Sequence, residues 1–136
     1  MPRIIVVLSL LLCLGVCEGF ADSRIKLKVD DTVLAVEWED NESVNALKSL
    51  APLTVKMSRY GGFEQVGALG RRLPREDERI TTRAGDIVLY SGNQIVVFYG
   101  SNTWEYTRLG RITGMTQKEL EELLGKSGVT LTISAE

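Results

Sequence analysis

Residues 84–112, AGDIVLYSGNQIVVFYGSNTWEYTRLGRI, constrain the fold more than any other stretch of the chain. Two short apolar runs, 87–90 and 95–99, flank Ser91-Gly92-Asn93, a turn cluster whose Gly and Asn tolerate positive φ. Neither run alternates. Apolar residues fall on both faces, so these strands must be covered on both sides. A third strand is expected at about 105–113, after the loop 100–103. The rest of the chain has to close around this meander.

The flanking segments supply the covering. Ile25-Lys26-Leu27-Lys28-Val29 alternates strictly, as a strand with one face on the core does. Asp30-Asp31 turns the chain, and 32–38 runs back with Leu34, Val36 and Trp38 on one face. Asp40-Asn41 can cap a short helix through about Leu50, with Val44, Leu47 and Leu50 at helical spacing and Glu42 placed favourably near the N-terminus. Pro52 stops it, because the residue before proline is biased away from helix. Residues 53–59 alternate again, Gly61-Gly62 turns the chain, and 63–69 reads as a short partner strand. Residues 70–83 carry mixed charges around one proline and read as a long, solvated, self-compensating surface loop. After the meander, Thr116-Gln117-Lys118-Glu119 is a capping box. Leu120, Leu123 and Leu124 form the buried stripe of that helix, Gly125 stands at its C-terminus, and 129–133 alternates as a last strand. Seven or eight short strands and two short helices in a chain of 136 residues predict a mainly β fold, a closed or nearly closed barrel.

The N-terminus reads as a targeting segment. Arg3 precedes an apolar run, 4–16, of signal-peptide length, and Gly19-Phe20-Ala21 offers small residues for cleavage after Ala21. Residues 1–21 are therefore expected to be removed on export to the periplasm or beyond, leaving 22–136 as a single domain without stable membrane insertion. Leu14-Gly15-Val16-Cys17 has the outline of a lipobox, but Val16 stands where that motif takes a small residue, and cleavage after Ala21 is preferred to a lipid anchor at Cys17. Cys13 and Cys17 both lie inside this segment, so the mature chain would hold together by its core alone.

Charge and residue inventory exclude several functions. The net charge of −2 survives removal of Arg3 and Glu18, and no basic stripe stands out, so nucleic acid is not an expected partner. The chain has no histidine, and its thiols lie in the signal. Histidine- or cysteine-ligated metal sites and histidine-dependent triads are excluded, and no cofactor is expected.

The order of motifs resembles a known family. The alternating hairpin leads to a helix ending in Leu50-Ala51-Pro52-Leu53-Thr54. Then come Leu73-Pro74, Ala84-Gly85-Asp86-Ile87, Val97-Phe98-Tyr99, Tyr106-Thr107-Arg108-Leu109-Gly110-Arg111-Ile112 and a Thr-rich last strand. Together they resemble the small bacterial cyclophilin-like fold proteins, uncharacterised domains found alone, exported, or fused to flavodoxin-like domains. The resemblance covers the whole mature chain and implies a cyclophilin-like barrel. It does not imply isomerase activity, since fold and function separate easily.

Two sets of residues are candidates for a site. Tyr99, Trp104 and Tyr106, with Arg108 close by, form a prospective ligand-facing patch; aromatic rings give apolar area with a polar handle, and arginine stacks on them or forks onto a carboxylate. The competing reading makes Tyr99 and Tyr106 cross-strand neighbours packed on the barrel wall. By resemblance to cyclophilins, Arg59, Phe63 and Gln65 stand in the region of the isomerase site. Their spacing is too short, the neighbouring histidine and glycine pair are missing, and Gly61-Gly62 interrupts them, so no catalytic residues are assigned. Arg111 is expected in a structural pair with Asp86 or Glu105. Glu37, Glu39 and Asp40 read as surface carboxylates, and Asn41-Glu42-Ser43 is a formal glycosylation sequon, meaningful only in a eukaryotic secretory pathway. The function expected is an exported, non-catalytic module binding a small molecule or peptide. A divergent peptidyl-prolyl isomerase and a protein-interaction domain are the alternatives, and oligomeric state is left open.

Overall fold

The computed structural model describes residues 25–135. The expected signal peptide and both cysteines lie outside the described residues. In chain order the elements are β1 (Ile25–Val29), β2 (Thr32–Trp38), α1 (Glu42–Ser49), β3 (Leu53–Tyr60), β4 (Glu64–Ala68), β5 (Glu78–Thr81), β6 (Asp86–Tyr90), β7 (Gln94–Phe98), β8 (Thr103–Thr113), α2 (Gln117–Leu124) and β9 (Gly128–Ala135). Strands run in the order β2-β1-β9-β3-β4-β7-β6-β8, and β8 pairs back onto β2 to close an eight-stranded antiparallel barrel. Closure removes the exposed edges that an open sheet would leave.

The interior is filled by one face of each strand. Leu27, Val29, Leu131 and Ile133 meet Ile87, Leu89, Ile95 and Val97 in a single apolar cluster. Each such side chain, fully buried, contributes roughly 1.5–3 kcal/mol. The two helices send Val44 and Leu47, and Leu120 and Leu124, into the same cluster. Both helices start at the expected caps. Asn41 Oδ1 accepts from the Val44 amide at 2.8 Å, and Thr116 and Glu119 form a reciprocal capping box. Gly125 caps α2, its amide donating to the Glu121 carbonyl, and a Cβ there would lie 2.5 Å from that oxygen.

The central meander buries apolar side chains on both faces, in line with its lack of alternation. Ile87 and Leu89 face inward, whereas Val88, Val96, Phe98 and Tyr106 form a second cluster on the outer face. Three details differ from the sequence expectation. At the hairpin tip the positive φ values fall on Ser91 (55°) and Gly92 (75°), not on Asn93. The third strand begins at Thr103 rather than about 105, and its first four residues pair with β5. That β5 lies within 70–83, a segment whose composition predicts loop throughout. Its neighbour segment is also tied down: the Leu73 amide donates to the Gly92 carbonyl, and Thr107 Oγ1 donates to Asp77 at 2.7 Å. Mixed charge gave this segment a loop-like composition, and the partner that orders it lies more than twenty residues away.

A bulge shapes the outer face next to β8. Ile87 pairs with Gly110 but Val88 pairs with Arg108, so Leu109 is the extra residue. The skipped residue reverses the side-chain alternation and brings both Arg108 and Arg111 toward Asp86. Arg111 Nε donates to the buried Asp86 carboxylate at 2.8 Å, the structural pair expected from sequence, and Arg108 Nη1 lies 3.9 Å from its other oxygen.

Candidate functional site

The second face of the meander is only partly covered. Where β3, β4, β6, β7 and β8 present their outer faces, an open cavity of about 440 Å³ remains. Register explains its floor. Val66 stands opposite Val96 and Glu64 opposite Phe98, so all four share the outer face, while Gln65 between them points inward. Phe63 stacks parallel to Phe98 with centroids 6.5 Å apart. Tyr106 meets Phe98 edge-on at 5.6 Å and Tyr90 at 6.1 Å. The rim carries Trp104, 49 % exposed, and Tyr60, 68 % exposed. Large exposed aromatics beside a concave apolar surface mark a place for another molecule more readily than a packing role.

Polar groups in the cavity are few. Asn102 Nδ2 donates to the Tyr106 hydroxyl at 2.7 Å, which leaves the Tyr106 proton free to point elsewhere. Glu64 is only 7 % exposed, and its Oε1 has no hydrogen-bond partner. Burial in these apolar surroundings pushes its carboxyl up to about 7. Burial likewise raises the Tyr106 hydroxyl; the Asn102 hydrogen bond opposes that shift, and the nearby Glu64 charge adds to it. Among the described residues, no lysine or arginine lines the cavity.

The prospective site residues separate. Trp104 and Tyr106 both line this cavity. Tyr99 instead continues the inward alternation of Ile95 and Val97 and lies in the barrel core. Arg108 lines a second, polar hollow of about 410 Å³ with Arg111, Asp86, Trp38, Glu37 and Glu39. There its charge is set against Asp86. The three residues of the isomerase comparison point in three directions. Phe63 lines the aromatic cavity, Gln65 is fully buried in the barrel with Nε2 donating to the Leu124 and Lys126 carbonyls at 2.7 Å, and Arg59 donates outward to the Gly125 carbonyl at 3.3 Å. Asn41, the sequon residue, uses its amide on both sides as a helix cap and as donor to the Arg108 carbonyl. Among the described residues, no group of three or more carboxylates, thiols or imidazoles could hold a metal ion. None of the described helices is long and apolar enough to cross a membrane.

Glu64 was the residue missed. Its signal was slight: a carboxylate set between the apolar Phe63 and Val66, on a strand whose partner β7 is apolar on both faces.

A closed eight-stranded barrel with one appended strand and two helices defines a class of fold, not an activity. The family model for the cyclophilin-like family matches residues 27–134, and the chain belongs to that family. Its structure is similar to the solution structure of a hypothetical protein from Archaeoglobus fulgidus, with a TM-score of 0.65 and 17 % identity over 85 % of this chain and 96 % of that one. This likeness is one of fold alone. No curated protein matches the chain at a significant level.

Proposed function

We propose that this domain is a non-catalytic binding module, exported by its N-terminal segment, that holds a small molecule or a peptide side chain in the outer-face cavity. One observation carries the reading: a largely buried carboxyl, Glu64, lines a cavity walled by aromatic rings, and among the described residues its Oε1 has no hydrogen-bond partner. An unpartnered buried polar group costs about 1–3 kcal/mol, and a bound ligand that hydrogen-bonds to it would recover that cost. The size suits a compact ligand, and aromatic walls with few polar groups are the usual composition of such sites. Export is supported by the apolar run 4–16 and the small residues Gly19 and Ala21.

A thermal-shift screen with small metabolites and short peptides tests the reading. A ligand that binds the folded state alone adds about 2.7 kcal/mol of stability at a hundredfold excess over its Kd. Hits should disappear in Val66→Trp, which fills the cavity from its floor. A screen with no hits, or hits indifferent to Val66→Trp, contradicts the proposal. Fractionation and N-terminal sequencing test the export half: the product should begin at Asp22 outside the cytoplasm.

A further inference from the structure

The composition of the cavity restricts its ligand further, on the premise that it is a binding site. We propose that the ligand is an organic cation, a protonated amine on a compact apolar body, with Glu64 as its counter-ion and the rings of Tyr60, Tyr90, Trp104 and Tyr106 as its walls. Three features of the site, two of them properties of Glu64, converge on positive charge.

The first is the sign of the site. Among the described residues, Glu64 is the sole charged residue in the lining, and no lysine or arginine offsets it there. Among the described residues, the other titratable groups lining the cavity are Tyr60 on β3, Tyr90 on β6 and Tyr106 on β8, and Glu78 on β5 stands opposite Tyr106. An anionic ligand would meet a carboxylate without any compensating cation, whereas an ammonium supplies what the carboxylate lacks. The second is the aromatic count: five aromatic side chains line the cavity, counting Phe63. Ring faces attract cations through their quadrupoles, most strongly for tryptophan, and several rings around one point form the usual cage for alkylammonium groups. The third is the unpartnered oxygen. Among the described residues Glu64 Oε1 has no hydrogen-bond partner and the residue is 7 % exposed, so the carboxyl at the cavity wall keeps an unsatisfied acceptor, reachable once the side chain turns toward the cavity. An ammonium carries three donors and can bond the carboxylate directly. Burial raises the Glu64 carboxyl, and an ammonium bound beside it would favour its charged form.

Benzylammonium, benzyl alcohol and benzoate are matched probes of one shape and three charge states. Isothermal titration or Trp104 fluorescence should show benzylammonium binding at least tenfold tighter than benzyl alcohol at about pH 8.5, and benzoate weaker than both. Glu64→Gln should abolish the preference for benzylammonium yet retain benzyl alcohol, and its melting transition shows whether the variant is folded. Trp104→Ala, at the exposed rim, should weaken benzylammonium several-fold as a second variant. Lowering the pH to about 5.5 should weaken benzylammonium in the parent and leave benzyl alcohol unchanged, because the carboxyl is protonated there. If benzyl alcohol or benzoate binds as tightly as benzylammonium, or Glu64→Gln keeps the preference, the cation assignment is wrong and the cavity is still a binding site. If none of the three binds and the broader screen is also empty, both proposals fall together.

Discussion

Asn102 and Tyr106 are joined by a 2.7 Å hydrogen bond across the start of β8, and the Tyr106 ring that it fixes stands between Phe98 and Tyr90. The bond holds one wall of the cavity in place. Tyr106→Phe keeps both edge-on ring contacts and removes only the acceptor, so it should cost about 1 kcal/mol in urea denaturation. Tyr106→Ala leaves a void between buried rings and should cost about 3–5 kcal/mol. Equal losses for the two variants would mean that the ring contacts contribute nothing.

Glu64 makes stability depend on pH in an unusual direction. Its folded carboxyl is raised from 4.5 to about 7, so between those values the folded state keeps a proton that the unfolded chain has released. Stability from this group therefore falls as pH rises through that window and is flat above it. The full effect is roughly 3 kcal/mol, at about 1.36 kcal/mol per pKa unit. Urea titrations of the parent and of Glu64→Gln at several pH values should differ by a slope confined to that window. Parallel curves would show that the carboxyl titrates normally.

Gly110 stands where β8 crosses onto β2 to close the barrel, opposite Trp38. A Cβ there would approach the Glu37 carbonyl oxygen to 2.7 Å and the Trp38 ring to 3.2 Å. Backbone cannot give way as a flexible side chain can. Gly110→Ala should cost about 1–3 kcal/mol, read as a lower denaturation midpoint, whereas Gly114→Ala tests positive φ alone because open space surrounds it.

Arg59, Phe63 and Gln65 diverge, so a proline-peptide isomerisation assay should show no catalysed rate. A measurable rate that Arg59→Ala abolishes would restore the isomerase reading.

Much of the fold was legible because its signals are local. The capping box at Thr116 and Glu119, the strict alternation of 25–29 and the two-sided apolar character of 87–90 each follow from chemistry within a few residues. The strand Glu78–Thr81 was not legible. Only Ile80 in it is apolar, and its order comes from pairing with Thr103–Tyr106. The candidate site was half legible for a related reason. Trp104 stands out in sequence as an aromatic that strand packing explains poorly, and Tyr106 does not; grouping both with Tyr99 and Arg108 by proximity in sequence ignores which face each residue occupies. Tyr99 turns into the core, and Arg108 lies beside Asp86. Glu64 reaches the cavity from a strand some forty residues earlier, placed by a barrel register that composition alone does not fix.

The most direct test of the binding-module account is a proton–nitrogen NMR titration with cationic, neutral and anionic fragments. The account predicts concentration-dependent shifts in the Trp104 indole, the Asn102 side-chain amide and the Glu64 backbone, strongest for the cations. Shifts confined to the hollow around Arg108 and Arg111, or a spectrum that no fragment moves, would contradict it.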